Sequence, residues 1–534
     1  MPWWSKNCRR AWTTILFESL RARPRLQIAL AALAGGANVL SFAPFGWWPL
    51  QILLLVLLFA AVLHSTAVRR SALIGWAFGF GWYAVGVAWL FVSLHRFGNL
   101  PAPLAVLAVG LLALFLGLFV GLATGLATWL QRRFAILPAA MLLMLLPALL
   151  TLADWTRSWI FTGFPWIVTG YAHTDSPLAG FAPIVGVYGL GWLAALLAGS
   201  LLLARSQRRL MALPALLPIM LLVAGAALQG MAWTTPVGQP ISVRLIQGNV
   251  PQEMKFDIER INETLMLYHD LIREQKADLI ATPETAIPLL SRFLPADYLP
   301  RLAQFSQESG SHVALGMPIS DGPDKYANSV LGLRPDGLAY RFDKQHLVPF
   351  GEFVPPGFRW FVDMMRIPLG DFTRGAAIQP ALAVKDQWVL PNICYEDLFG
   401  EEIAAQLRES AHPATILLNV SNIAWFGDSI ALPQHLQISR MRALETGRPM
   451  LRATNTGSTA VIDARGKVVA ELAPYTRGTL AASVQGHEGM TPFILFGNRF
   501  IVILCLLLLA CGIFLRRKAT PIPPNTKVPN LTIL

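Results

Sequence analysis

The sequence of 534 residues contains few charged side chains, since Asp, Glu, Lys and Arg together make up only 14% of it. Soluble globular proteins carry about a quarter charged residues. Hydrophobic residues account for 54%, and the mean hydropathy is +0.50. So few charges cannot cover the water-facing surface of a chain of this length. The composition excludes a disordered, fibrous or small disulfide-bonded protein and indicates an integral membrane protein.

Acidic residues are almost absent outside one window of the chain. Only Glu18, Asp154 and Asp175 lie outside residues 232–494, and the window holds the other 28 of the 31 acidic residues. It also holds 23 of the 43 basic residues, so the excess of positive charge belongs to the rest of the chain. The formal charge of +12 therefore reports membrane topology and gives no support to a nucleic-acid partner.

The apolar part of the chain contains eight runs that approach the roughly 20 residues needed to cross a bilayer. These predicted spans are residues 26–40, 50–68, 72–92, 103–130, 136–152, 182–203, 210–233 and 495–515. If all eight cross, every basic cluster between or beside them falls on one side. The positive-inside rule then places both termini in the cytoplasm.

This topology predicts five regions along the chain. They are a cytoplasmic N-terminus (1–25), seven transmembrane helices (26–233), an exported domain (234–494), an eighth transmembrane helix (495–515) and a cytoplasmic tail (516–534). Within the exported region, segments with strand-like and helix-like patterns alternate. A helix is predicted over residues 258–275, and strands over 278–282 and 387–394. Such alternation favours a layered α/β domain.

Cysteine is scarce, and only one of the four cysteines, Cys394, lies in the exported region. It has no partner there for a disulfide in a compartment that oxidises thiols. Cys394 stands where an apolar strand runs into a polar turn, a position that exposes a nucleophile beside backbone N–H groups. Glu284 and Lys344 follow two other predicted strands and could supply a base and a cation. Taken singly, each also fits an ordinary structural role.

The residues around these three positions resemble a known catalytic triad. Pro-Glu-Thr-Ala at 283–286, Lys-Gln-His-Leu-Val-Pro-Phe-Gly-Glu at 344–352 and Ile-Cys-Tyr-Glu at 393–396 are similar to the Glu–Lys–Cys motifs of the nitrilase, or carbon–nitrogen hydrolase, superfamily. Residues 346–355 and 452–458, with the membrane motifs at 163–166 and 182–189, resemble the apolipoprotein N-acyltransferase family. The resemblance covers roughly residues 26–515. It implies a nitrilase-like αββα sandwich in the periplasm, carried by a multi-pass domain in the inner membrane.

The resemblance also implies a reaction. Cys394 is expected to be the nucleophile, Glu284 the general base and Lys344 the stabiliser of the oxyanion. The expected chemistry moves an acyl chain from a phospholipid, with phosphatidylethanolamine as the expected donor, through a Cys394 thioester. The acceptor is the α-amino group of a diacylglyceryl-apolipoprotein. No cofactor, metal or nucleic acid is expected, and the protein is expected to be a monomer.

Further residues are assigned to the site by the same resemblance. Glu352, Tyr395 and Glu396 are expected to support the triad, and Phe256, Trp425 and Phe426 are candidates for loops that contact substrate. The family often has Trp at position 256 and Asp at position 423, where this chain has Phe256 and Ile423. Structural hydrogen bonds for the two glutamates and a packed turn for Trp425 and Phe426 remain alternatives. Trp155, Trp159 and Trp166 are expected to form an aromatic belt at the membrane surface.

Two other functions remain open at this point. A membrane-tethered amidase would use the same triad with water as the acceptor, although it gives no reason for eight spans. A transporter with a large outer domain would need ionisable residues within the spans. The predicted spans contain almost none, which argues against a translocation path.

Overall fold

The computed structural model describes residues 23–515 except 66, 207–211, 256–258, 324, 355–356, 358 and 360–370. Its first part is helical. The helices of this helical domain are α1 (Pro24–Ala37), α2 (Trp48–Leu63), α3 (Val68–Gly86), α4 (Ala102–Arg133), α5 (Leu146–Arg157), α6 (Ala182–Ser206) and α7 (Ala212–Gln229). Proline in the first turn begins α1, α2 and α4, where its missing N–H has no helical partner to lose.

Each of the eight predicted spans coincides with a helix, but their lengths differ. Within the described residues, three helices are long and apolar enough to cross a membrane: Ala102–Arg133, Pro138–Arg157 and Pro177–Ala204. A fourth crossing is possible if α3 and the segment Leu90–Phe97, which are bent by 60° against each other, form one span. The chain is therefore a membrane protein with three or four candidate spans, and eight crossings stay a prediction.

Helices α3 and α4 pack closely because small residues face each other along their contact. A Cβ atom added at Gly79 would lie 2.8 Å from Cα of Gly117, so any side chain there would push the two helices apart. Small residues are the usual means by which membrane helices approach closely.

The second part of the chain is an α/β domain built on two six-stranded sheets. Its strands are β1 (Ile241–Gln247), β2 (Leu279–Ala281), β3 (His312–Ser320), β4 (Tyr326–Leu333), β5 (Tyr340–Asp343), β6 (Leu382–Val384), β7 (Gln387–Ile393), β8 (Ile416–Ser421), β9 (Met450–Thr454), β10 (Ala460–Ile462), β11 (Val468–Glu471) and β12 (Gly478–Val484). The first sheet has the order β12-β1-β2-β3-β4-β5, and the second has β11-β10-β9-β8-β7-β6.

The two sheets share one pattern: three parallel strands in the middle and antiparallel strands at the edges. Strands β1, β2 and β3 are parallel in the first sheet, as are β7, β8 and β9 in the second. Their inner faces pack together through buried Val243, Leu245, Leu390 and Leu418. The carboxyl ends of parallel strands meet at one edge of a sheet, which is where open α/β folds place their ligands.

Helices cover the outer faces of both sheets, which completes the αββα arrangement. Helices α8 (Ile261–Arg273) and α9 (Tyr298–Ser309) cover the first sheet. Helices α10 (Gly400–Glu409) and α11 (Ala431–Thr446) lie on the second. The helix predicted over 258–275 corresponds to α8. The last helix that the structure describes is the apolar helix α12 (Arg499–Phe514).

The α/β domain sits directly on the helical domain. The N–H of Val187 in α6 donates to Oε1 of Glu445 in α11 at 2.7 Å. Oε1 of Gln434, also in α11, accepts from the indole nitrogens of Trp89 at 3.2 Å and Trp166 at 2.8 Å. These contacts are buried, so the two domains form one packed unit.

The predicted aromatic belt at the membrane surface is wrong for one of its three members, Trp166. Trp155 and Trp159 contact each other with ring centroids 5.7 Å apart, and Trp159 is half exposed. Trp166 is instead only 2% exposed, and its ring stacks on His435 of the α/β domain at 5.6 Å. It belongs to the junction between the domains, because it contacts Gln434 and His435 of α11.

Candidate active site

The three predicted catalytic residues lie just beyond the ends of three strands. Glu284 follows β2, Lys344 follows β5 and Cys394 follows β7. Cys394 has a φ of 55°, in the left-handed region that a residue with a side chain rarely adopts. Such backbone strain is concentrated at functional sites, where the surrounding structure holds it. The residues from Cys394 to Leu398 form a single 3-10 turn after the strand.

Glu284, Lys344 and Glu352 form a buried ion-pair cluster. Nζ of Lys344 lies 3.1 Å from Oε1 of Glu284 and 2.8 Å from Oε1 of Glu352. The amide nitrogen of Asn328 donates to the same two oxygens at 2.8 and 2.9 Å. Oε2 of Glu284 accepts the backbone N–H of Asn422 at 3.0 Å. Each charge is thus paired and hydrogen-bonded, as burial requires.

The electrostatics of the cluster set the protonation states of its members. Burial disfavours the charged forms of Glu284 and Lys344. Their mutual attraction, with the Asn328 and Glu352 contacts, outweighs burial, so the pKa of Glu284 falls below its usual value and that of Lys344 rises well above. Burial and the nearby Glu284 carboxylate raise the pKa of the Cys394 thiol to about 12, against the opposing effect of Lys344. At neutral pH the site holds a thiol beside a carboxylate and an ammonium.

Glu396 ties the Cys394 turn to the Lys344 segment. Its Oε1 accepts the N–H groups of Gln345 at 2.6 Å and His346 at 3.1 Å, and its Oε2 accepts that of Ile393 at 2.6 Å. Burial raises the pKa of Glu396 to about 7, while these hydrogen bonds and Lys344 oppose the rise. These bonds hold the two segments together, and the supporting role of Glu396 in catalysis stays a prediction.

The same segment is bonded to the helical domain. The Tyr395 hydroxyl donates to the carbonyl of Gly163 at 2.7 Å. His346 places one ring nitrogen 2.8 Å from the carbonyl of Thr162 and the other 2.8 Å from Oε1 of Glu402. Tyr395, which follows Cys394, and His346, which lies two residues after Lys344, therefore both contact one loop of the helical domain.

The predicted substrate-contact residues have different outcomes. Trp425 and Phe426 lie at the domain junction, where Trp425 contacts Phe97 with ring centroids 5.6 Å apart and Phe426 contacts Trp89 at 4.3 Å. Both are partly buried. Phe256 lies outside the described residues.

Several polar residues of the site carried no clear signal in the sequence. Asn328 lies within β4 and donates to the carboxylates of Glu284 and Glu352. The residues around it in the sequence do not indicate these two partners. The side chain of Asn419 in β8 donates to the Cys394 carbonyl at 3.1 Å. Lys255 is buried and donates to the backbone carbonyl of Glu284 at 3.1 Å. Polar side chains inside or just beyond buried strands are the signal that could have identified the two asparagines.

In the part of the chain that the structure describes, no group of three or more His, Cys, Asp or Glu side chains is arranged so that it could hold a metal ion. The chemistry the arrangement can perform is nucleophilic: a thiol, a carboxylate to receive its proton and a fixed ammonium to stabilise developing negative charge.

The fold and the three residues at its strand ends define the class of protein. Residues 242–489 match the carbon–nitrogen hydrolase family, and residues 34–200 match the apolipoprotein N-acyltransferase N-terminal domain. Among solved structures, an amidase from Nesterenkonia sp. is 19% identical, with 47% of this chain and 92% of that chain covered and a TM-score of 0.36.

Full-length relatives narrow the class to one family. An apolipoprotein N-acyltransferase from Ralstonia nicotianae is 50% identical over 93% of this chain and 95% of its own length. That of Bordetella bronchiseptica is 43% identical over 93% of this chain and 98% of its own. The chain belongs to the apolipoprotein N-acyltransferase family, and the acyltransferase activity expected from the sequence is confirmed at that level.

Proposed function

We propose that the protein acylates apolipoproteins through a thioester on Cys394. In the first half-reaction Sγ of Cys394 attacks an ester carbonyl carbon of a phospholipid as Glu284 takes the thiol proton. The C–O bond of the tetrahedral intermediate then breaks. The lysophospholipid oxygen leaves with the proton held by Glu284, and the acyl chain stays on sulfur. The raised thiol pKa and the lowered Glu284 pKa mean that the proton moves as the S–C bond forms.

Lys344 and the backbone N–H of Tyr395 are proposed to bind the oxyanion. Lys344 is fixed between Glu284 and Glu352, so it needs no reorganisation during the reaction. Preorganised donors of this kind contribute on the order of 3 kcal/mol each to lowering the barrier.

In the second half-reaction the α-amino group of a diacylglyceryl-cysteine attacks the thioester carbonyl. An N–C bond forms, the C–S bond breaks, and Glu284 transfers the amine proton to the departing sulfur. A thioester suits this step because thiolate is a good leaving group toward an amine, and the covalent intermediate divides one difficult transfer in two.

The observation that best supports this proposal is the contact between the Cys394–Leu398 turn and the helical domain. Tyr395 and His346 donate to or contact the carbonyls of Gly163 and Thr162, so Cys394 lies close to the helical domain, which contains the candidate membrane spans. Two lipid substrates require such a position, whereas a water-soluble amide does not. We further propose a periplasmic catalytic domain, cytoplasmic termini, phosphatidylethanolamine as the donor and a monomeric enzyme.

The experiment that tests the function compares acceptors. Purified full-length enzyme in phospholipid nanodiscs is given a diacylglyceryl peptide, and the products are separated by mass spectrometry. The proposal predicts N-acylated peptide and lysophospholipid in equal amounts, with neither formed by Cys394→Ala. Free fatty acid in place of acylated peptide would instead support the amidase.

A further inference from the structure

Lys255 is a second buried lysine at the active site, and no step described so far uses it. It ends the short helix Gln252–Lys255, which follows β1, and it is only 1% exposed. Its Nζ donates to the backbone carbonyl of Glu284 at 3.1 Å. A lysine that is almost fully buried loses its hydration, so its presence needs a compensating interaction.

The charges around Cys394 supply that interaction. The carboxylates of Glu284 and Glu352 outnumber the Lys344 ammonium that bridges them, and both raise the pKa of the Cys394 thiol. A negative cluster opposes the formation of a thiolate and of an oxyanion. One more positive charge on the Glu284 side would balance the two carboxylates before the thiol loses its proton.

The position of Lys255 is fixed by its own helix. Oε1 of Gln252 accepts from the side chain of Asn422 at 2.9 Å, and the N–H of Asn422 donates to Glu284. Glu253 pairs with Arg96 of the helical domain at 2.7 Å. The helix is therefore attached both to the residues that hold the base and to the membrane part of the protein.

We propose that Lys255 is a positioning residue of the acyl transfer, whose ammonium fixes the Glu284 turn and balances the charge against which Cys394 ionises. The proposal rests on the function of Cys394 as nucleophile. Among the residues that the structure describes, the titratable groups that act on Lys255 are Glu284 after β2 and Cys394 after β7, and burial outweighs both in lowering its pKa to about 7. Its charge is consequently present below about pH 7 and is lost as the pH rises.

The test measures alkylation of Cys394 by iodoacetamide in the full-length protein, followed on the Cys394 peptide by mass spectrometry. Lys255→Met should slow alkylation about tenfold below pH 7, the effect of a one-unit rise in the thiol pKa. The difference from wild type should vanish at about pH 9, where the wild-type lysine is itself neutral. A purely structural role would give the same ratio at every pH.

Three further variants keep the result interpretable. Lys255→Arg should restore the wild-type rate below pH 7. Lys255→Gln keeps a donor for the Glu284 carbonyl but carries no charge, so it should alkylate as slowly as Lys255→Met. If Lys255→Met does not fold, Lys255→Gln serves as the uncharged variant in its place. Lys276→Met is the matched control, since Lys276 is exposed and precedes β2 at the opposite edge of the sheet.

Three outcomes would overturn the proposal. They are uncharged variants that alkylate like the control, a loss that has the same ratio at every pH, and a loss shared by Lys255→Arg, which would make packing the cause. Failure of the proposed function is seen separately, because wild-type enzyme incubated with phosphatidylethanolamine would then form no acyl-enzyme whatever the Lys255 variants do in alkylation.

Discussion

At the scale of single residues, the site brings together two groups, the Cys394 thiol and the Glu284 carboxylate, whose pKa values are shifted in opposite directions. The Cys394 thiol has a raised pKa, and the Glu284 carboxylate has a lowered one. A thiolate is therefore not stored in the resting enzyme. In the proposed mechanism Glu284 takes the thiol proton while the substrate carbonyl is attacked, and Lys344 stabilises the negative charge that develops on the carbonyl oxygen.

Replacing Glu284 with Gln should slow acyl-enzyme formation about 10²–10⁴-fold, the usual contribution of a general base. The amide keeps the volume of the side chain and one acceptor oxygen, but it cannot receive the thiol proton. Rapid-quench mass spectrometry with phosphatidylethanolamine gives the rate. A rate within a few-fold of wild type would assign the base to another group.

Replacing Glu396 with Gln should slow acyl-enzyme formation about 10–100-fold. Its amide can accept N–H groups on one side only, so a buried N–H is left unpaired at a cost of about 1–3 kcal/mol. The wild-type rate should also fall as the pH drops through about 7, because Glu396 then gains a proton. Both effects are read from a pH–rate profile.

The control for this prediction is Glu409→Gln, which alters an exposed carboxylate at the end of α10. It should leave the profile unchanged. An acidic limb that persists in Glu396→Gln would show that another group titrates.

At the scale of elements, close backbone contacts set the position of Glu284, the proposed base. A Cβ added at Gly316 in β3 would lie 2.1 Å from the Pro283 carbonyl oxygen and 3.0 Å from Cα of Glu284. The glycine thus lets the turn after β2 pass against β3. This is a contact between the backbones of two neighbouring segments, and any residue larger than glycine at position 316 would prevent it.

The substitution Gly316→Ala should displace the Glu284 turn. We expect a loss of about 1–3 kcal/mol in stability, typical of overpacking, and a larger relative loss of acyl-enzyme formation. Gly478→Ala is the matched control, since its added Cβ would meet only the end of Leu472 at 3.9 Å. Melting and acylation are measured on both variants. Equal acylation in the two would contradict this account of the turn.

The elements that the sequence could predict are those whose signals are local. The position of Cys394 after an apolar strand and the helical spacing before α8 are both legible in the chain, as are the eight apolar runs. The bridge from Asn328 to two carboxylates and the burial of Lys255 depend on strands far apart in the sequence. The lengths of the spans could not be predicted either, because α2 ends at Leu63, before its apolar run does, and α12 begins only at Arg499, after the start of its run.

At the scale of the whole molecule, the helical and α/β domains meet through buried polar contacts. Gln434 is the centre of one of them, with its side-chain oxygen shared by the indole N–H groups of Trp89 and Trp166. The contact joins α11, which covers the second sheet, to two parts of the helical domain. Through α11 the membrane part is coupled to the sheet that carries Cys394.

Gln434→Leu should lower the melting temperature of the full-length protein in detergent. It leaves the buried indole N–H of Trp166 without its acceptor, at a cost of about 1–3 kcal/mol, whereas the indole N–H of Trp89 keeps its bond to the Gly86 carbonyl at 3.1 Å. Gln304→Leu, on the exposed face of α9, should leave the melting temperature within error. A Gln434 variant as stable as this control would show that the junction is held by apolar packing alone.

The central claim is that an acyl chain passes through Cys394 on its way between two lipids. Intact-protein mass spectrometry of the full-length enzyme tests it most directly, after incubation with phosphatidylethanolamine and without acceptor. The account predicts a mass increase of one acyl chain on the Cys394 peptide, absent from Cys394→Ala and discharged by a diacylglyceryl peptide. Acylated peptide formed by wild-type enzyme that never carries an acyl group on Cys394 would contradict it.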